Sequence, residues 1–323
     1  MAFNDIISRA ENGQAIEIPT DKAAAIVQET YAQSAVLNQA RKVTIPSKSY
    51  VVPVLATLPD AYWVNGDTGL KQTTKVTWEG ATLTAEPLAV LVPVPDDFAQ
   101  DTTIDIFAHL KPLLAEAFGR KLDNAALFGI NKPASWSDSV YQNAVAAGNW
   151  LDVGQNPSPG QTGESDLAQD VSAMGLKLAE DGFNMNGVVT EPGFFWRVAG
   201  QRTIDGHPIF TPNAGERTQS LYGLNFFEQR NGAWKPGVRL LGGDWDKAIV
   251  GIRQDITFTV HTDGVIADDD GKVVFSAMQS DSKILRAVMR VGFAVANPVT
   301  NQATVKSSRS PFVVLSDEGT AGS

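Results

Sequence analysis

The chain has 323 residues, 43% hydrophobic and 19% charged, which gives about two domains with a sizeable core and excludes a disordered chain. Cysteine is absent, so disulfides, thiolate metal sites and a cysteine nucleophile are excluded, in keeping with a reducing cytosol. The formal net charge is -10 with no basic run, which argues against general nucleic-acid binding through Lys and Arg, though an acidic wall that surrounds DNA without gripping it stays compatible.

The first residues, "MAFNDIISRAENGQ", put Asp5, Arg9 and Glu11 where a signal peptide needs its apolar core, so no export signal is expected. From Thr20 to Ala40, "TDKAAAIVQETYAQSAVLNQA" carries Val27, Tyr31 and Val36 or Leu37 at helical spacing, with Thr20 or Asp21 as a start signal. The spacing predicts an amphipathic helix behind a lead with no core of its own, and the segment reads as an arm.

From about Lys48 to Pro95 the pattern becomes β: "SYVVPVLATLP", "AYWV" and "TKVTWEGATLTAEPLAVLVPVP". Val76 and Trp78 alternate with Lys75, Thr77 and Glu79, the period of a strand with one face to bury, and Asn65-Gly66 is a hairpin-type dipeptide at a loose tip. The outer part, Pro59 to Gly80, would reach roughly 30 Å at about 3.3 Å per residue. A compact body of this length has a radius of gyration of about 20 Å, so such a ribbon projects from it. Either the ribbon folds back on its own domain or another subunit covers Trp63 and Trp78. The longest apolar run, "LAVLVPVP", is too short for a bilayer span and holds two prolines, so no membrane partner is expected.

"DTTIDIFAHLKPLLAEAFGRKLDNAALFG" follows, with Phe107, Leu110, Leu114, Phe118, Leu122 and Ala125 in three- and four-residue steps. Asp101 to Thr103 offer caps and Gly129 a C-terminal stop, while Pro112 predicts a kink or a start just before it. Residues 131–163 read as loop. "DLAQDVSAMGLKLAEDGF" predicts a helix, "MNGVVTEP" a short buried strand and "GFFWRVAGQ" another helix, together an α/β module. "LLGGDWDKAIVGIRQDITFTVHTDG", "KVVFSAMQSDSKILRAVMRVGFAVANP" and "SPFVVLS" read as strands before a polar tail.

Catalytic signatures are sparse. His109, His207 and His261 have no ligand spacing, and no nucleophile elbow, phosphate loop or dinucleotide fingerprint is present. "IADDDGK" has Ile266 where a calcium loop needs its first oxygen ligand, so a hairpin turn on Asp270-Gly271 is expected instead. Paired carboxylates for glycosidic chemistry are not excluded by sequence, but a solvated acidic surface is the better reading. No catalytic residue, metal or cofactor is assigned.

The order of elements, with "AYWVNGDTG", "KLDNAALFG", "GDWDKAIVGIRQDI" and "LRAVMRVGFAV" as its sharpest pieces, resembles the major capsid protein family of tailed bacteriophages from about Thr20 to Pro298. The resemblance implies an α+β, HK97-like fold and a non-enzymatic shell subunit. Its parts would be an N-terminal arm (1–46), an extended β-hairpin E-loop (47–95), a peripheral P-domain with a long spine helix (96–130) and an axial A-domain (131–250). Return strands (251–310) would be shared between the two domains, and a C-terminal tail (311–323) would follow.

It further implies self-association as hexamers and pentamers into an icosahedral shell, a portal at one vertex, and packaged double-stranded DNA held by weak non-specific contact. A scaffold, a maturation protease or a decoration protein remain open as partners. The protein would be in the virion, and in the host cytoplasm during assembly. Trp63, Lys71, Lys75, Val76 and Trp78 are the expected inter-subunit contacts of the ribbon, and Val27, Tyr31 and Leu37 those of the arm.

Two departures bear on these expectations. Some members begin with a cleaved scaffolding region of about a hundred residues, whereas here only a short arm precedes the match, and Met1 argues against cleavage. The founding member cross-links ribbon lysines to asparagines near a buried glutamate. Lys71 and Lys75 are ribbon lysines, but solubilising a strand edge is the commoner use of lysine there. The nearest rival reading is an encapsulin-type nanocompartment shell, and the distant one a cytosolic β-rich hydrolase.

Overall fold

The computed structural model describes residues 10–11, 14–15, 34–64, 71–97, 106–156, 165–200, 220–221, 223–268 and 270–317. Two short strands, β1 (Ala10–Glu11) and β2 (Gln14–Ala15), pair antiparallel near the start. Helix α1 (Ala35–Gln39), strands β3 (Arg41–Thr44), β4 (Ser49–Thr57), β5 (Thr77–Thr84) and β6 (Glu86–Pro95), and the long helix α2 (Ile106–Phe128) follow. Next come α3 (Val140–Ala146), β7 (Trp150–Asp152), α4 (Leu167–Glu180), β8 (Gly187–Thr190) and α5 (Phe194–Ala199). Strands β9 (Ser220–Leu221), β10 (Leu224–Glu228), β11 (Val238–Gly243), β12 (Ala248–His261), β13 (Val265–Ala267), β14 (Val273–Ser276), β15 (Ser282–Val295) and β16 (Phe312–Ser316) complete the chain.

The chain divides into two compact units. One comprises residues 1–31, 86–118 and 253–291. In it β6 pairs antiparallel with β15 from Glu86↔Val291 to Pro95↔Ser282. The hairpin of β13 and β14 closes a small core of Phe275, Ala277 and Ile284 with Ile266 against it. Its turn is the expected one: Gly271 has φ 80° and the Asp268 carboxylate accepts from the backbone N–H groups of Asp270 and Lys272. One oxygen of this carboxylate takes both turn N–H groups, as in an Asx turn.

The other unit comprises residues 32–85, 119–252 and 292–323. Its six-stranded sheet has the order β7-β16-β11-β8-β10-β9. Strand β8 is buried at every position, as the run "GVVT" predicts for a strand covered on both faces. One face carries α4 and α5, whose Val171, Met174, Leu178, Phe194 and Val198 join Val188, Leu240, Val313 and Leu315 in one core. Helix α4 begins with a capping box between Asp166 and Gln169, which satisfies donors the helix itself leaves free. The strand expected at "SPFVVLS" lies inside the segment set apart as a tail. It is fully buried between β7 and β11, because four of its five residues contribute apolar side chains, on both faces.

Helix α2 runs through Pro112 without ending, so the expected start just before that proline is corrected. Gly129 stops it as expected, with φ 73° and its N–H on the carbonyl of Ala125. The expected helix from Thr20 falls on undescribed residues except at α1, and the cap candidates Asp101 to Thr103 lie outside the described residues too.

Candidate functional site

Strands β4 and β5 form a two-stranded antiparallel ribbon from Ser49↔Thr84 to Thr57↔Thr77. At its root Val52, Val54 and Leu83 pack with Ile45, Ile249 and Ala294 in a core of their own. The next stretch holds together through side chains: Thr57 Oγ1 meets Thr77 Oγ1, the Asp60 N–H donates to Thr74 Oγ1 at 3.0 Å, and Tyr62 OH donates to the Gln72 carbonyl at 2.8 Å. This arrangement keeps the two arms of the ribbon adjacent without regular pairing.

Of the expected ribbon contacts, Trp63 is 98% exposed, Trp78 66% and Val76 42%, while Lys71 and Lys75 are exposed. Tyr50, Val51, Tyr62 and Val64 are exposed with them, so the ribbon carries apolar groups the chain itself leaves in water. Single exposed apolar residues are ordinary; a run of them along one element is a candidate interaction surface. Residues 65–70, where the tip was expected, lie outside the described set, as do Val27 and Tyr31 of the expected arm. Leu37 is half-buried on α1.

The root of the arm is fixed by a carboxylate that sequence reasoning did not single out. Asp123, inside α2 and fully buried, accepts from Ser34 Oγ at 2.6 Å, Val36 N at 3.1 Å and Ala35 N at 3.2 Å. Asn231 Nδ2 at 2.7 Å and Gln229 Nε2 complete its shell. Burial pushes this carboxyl above its usual range, and the hydrogen bonds from Ser34, Asn231, Val36 and Gln229 pull the other way. The only sequence signal was an aspartate on an otherwise apolar helical face. Its partners lie 87 to 108 residues away, so no local pattern reveals them.

A cleft of about 480 Å³ runs beside the ribbon root, lined among others by Gly80, Trp136, Asp138, Asn297, Lys306 and Arg309. Its basic groups serve the fold. Lys306 pairs with Glu79, which holds that carboxyl below its usual range, and Arg309 donates to the carbonyls of Asn297, Pro298, Ala303 and Thr304. Trp136 donates its indole N–H to the Thr84 carbonyl at 3.0 Å.

Among the described residues no group of acidic and histidine side chains has the arrangement of a metal centre. His261 stands exposed at the end of β12 beside Thr259, and His207 lies outside the described residues. No described helix is long and apolar enough to cross a membrane.

Comparison with known proteins matches residues 15–300 to the Phage capsid family. The "Major capsid protein" of Staphylococcus phage 80alpha is 27% identical over 282 residues, covering 84% of this chain and 79% of that one. Among solved structures, a chain from Microbacterium phage Oxtober96 superposes with a TM-score of 0.80 at 31% identity, covering 93% of this chain and 96% of the other. A chain from Mycobacterium phage Bobi gives 0.79 at 29% identity, covering 94% and 96%.

Proposed function

The chain belongs to the phage capsid family, and from that premise we propose that its copies close as hexamers and pentamers into an icosahedral shell around double-stranded DNA. Its role is that of a major capsid protein of a tailed phage, a component of the virion with an HK97-like fold. The work of such a subunit is association, and catalysis is not part of the family's role.

The observation that carries the reading is the ribbon. Trp63 and Trp78 stand in water on an element whose root is firmly packed, which suits a limb that lies over a neighbouring copy. In this reading the E-loop, expected over 47–95, narrows to the β4–β5 ribbon because β6 is laddered to β15, while α2 is the spine helix of the P-domain and 131–250 form the axial domain. The arm beyond Ser34 reaches other copies through Val27 and Tyr31. Many modest contacts, each reversible, add through closure of the lattice, so that errors correct while the finished shell is stable. The net charge of -10 suits a wall that does not grip its DNA. A portal, and a scaffold, protease or decoration protein where the phage uses them, complete the assembly pathway in the host cytoplasm.

Negative-stain microscopy of the expressed full chain tests this. Shells, tubes, or hexamers and pentamers are expected; a monodisperse monomer at all concentrations, with Trp63 and Trp78 unprotected from solvent, would refute it.

A further inference from the structure

The two outer edges of the sheet strands in the first unit are built differently. Strand β6 carries Pro87, Pro93 and Pro95 at positions of one parity, all within its ladder with β15. A proline sits in a strand where its nitrogen points off the edge, so the outer edge of β6 keeps N–H donors of that parity only at Ala89 and Leu91 and is blunted at both ends. Strand β12 lies on the other side of β15 and has no proline. Strand β3 covers it only from Ile249 to Ile252. From Arg253 to His261 no described strand pairs with that edge.

The Ile252 carbonyl accepts from Ile45 N at 3.0 Å, so Ile252 and, by alternation, Gln254, Ile256, Phe258 and Val260 point their backbone groups outward. The Ile256 N–H, without a strand opposite, is taken up by the neighbouring Asp255 carboxylate at 2.8 Å. An edge this long that no described strand covers is a template for another strand.

The sequence of the edge says which strand. Arg253 to Asp263 reads "RQDITFTVHTD", a chemical palindrome about Phe258. Two antiparallel copies centred there set Asp255 opposite His261, Thr257 opposite Thr259, Ile256 opposite Val260, and Phe258 opposite itself, and bring Arg253 near Asp263 in the bend that follows the strand. The outward backbone groups of Gln254, Ile256, Phe258 and Val260 then fall in hydrogen-bonded pairs, as the antiparallel ladder requires. Opposite charges, Thr–Thr and aliphatic pairs directly across a ladder all favour pairing. Arg253, Asp255 and Asp263 are exposed and have no ion pair among the described residues, so these charges are available, and the exposed His261 imidazole offers Asp255 a hydrogen-bonding group.

We propose that two copies of this chain join their β12 edges antiparallel about a two-fold axis through Phe258, making one continuous sheet across the subunit boundary. The proposal deepens the shell reading and rests on it, supplying the isologous contact that complements the heterologous one made by the ribbon.

The absence of cysteine makes the register directly testable. In assembled full-length protein, Thr257→Cys/Thr259→Cys is expected to give a covalent dimer on mild oxidation, since these positions face each other at disulfide distance. Thr257→Cys alone and Thr259→Cys alone stay uncross-linked, and co-assembly of the two single variants restores the dimer. Arg253→Asp, in the double-cysteine background, lowers the dimer yield about tenfold by bringing like charges together, and adding Asp263→Arg restores it.

Particles that form without cross-linking of the double variant overturn the pairing and leave the shell reading standing. Self-cross-linking of either single variant overturns the register. Covalent dimers without particles from the wild-type chain would support the pairing and overturn the shell. Neither dimers nor particles would overturn both.

Discussion

Trp78→Ala separates the two ways the ribbon can be built. A tryptophan side chain covers roughly 150–250 Å², and 66% of Trp78 is bare in the subunit. Covering about 100–170 Å² at ~25 cal/mol per Å² is worth on the order of 3–4 kcal/mol. Association subtracts the cost of ordering the ribbon, so about 1.5–3 kcal/mol per contact survives, a pairwise weakening of roughly 10- to 100-fold on truncation. Because one subunit makes this contact in every copy, the concentration at which assembly begins, read by light scattering or sedimentation, should rise at least as much. The isolated subunit should lose almost nothing in urea unfolding, within about 0.5 kcal/mol, because an exposed side chain has little packing to forfeit. If the variant instead unfolds about 2 kcal/mol or more easily while assembling at the wild-type concentration, the ribbon packs on its own body and the argument is wrong.

Asp123→Ala should cost about 3 kcal/mol or more in urea unfolding, since it strands buried donors from Ser34, Ala35, Val36, Gln229 and Asn231. Because the folded Asp123 carboxyl sits above its usual range, its contribution is full below the ordinary carboxylate pKa and is lost as pH rises through the raised value; Asp123→Asn should lack that falling limb in a stability-against-pH series. Glu79 has the opposite sign: Lys306 holds it below its usual range, so its contribution is present above the unfolded value and lost as pH falls through the lowered one, and Lys306→Met should remove that acid limb. Gly292→Ala should destabilise by about 1–3 kcal/mol in thermal or urea unfolding, because a Cβ there would meet the Thr84 carbonyl oxygen at 2.8 Å and backbone cannot yield as a flexible side chain can.

What could be read from the sequence was local chemistry. The stop at Gly129, the buried strand at Val188, the capped helix after Asp166 and the turn at Gly271 each follow from a few neighbouring residues and from periodicity, and each is present. Of the two outcomes expected at Pro112, the helix start is overturned, because a proline's cost to a helix interior is a few kcal/mol, less than the packing α2 gains through Leu114, Phe118 and Leu122. The Asp123 shell, the pairing of Arg239 with both Glu191 and Asp317, and the central place of β16 depend on segments far apart in the chain. The palindrome around Phe258 was present in the letters, but it acquires meaning only once β3 is seen to release the edge at Ile252.

Charge sets a condition that any account of assembly has to meet. Each subunit carries -10, so copies repel, and at physiological salt the repulsion fades only beyond about 8 Å. Surfaces that meet within that distance must either be apolar or bring opposite charges opposite one another. In the proposed shell the ribbon meets the first condition with Trp63, Val76 and Trp78, and the β12 edge meets the second with Arg253 brought near Asp263. The buried polar groups take no part in either: Asp123, and Asp181 with its hydrogen bonds from Asn149 and Ser310, are saturated from within. Fold and association therefore draw on separate sets of residues, which is why single substitutions can be expected to break one while sparing the other.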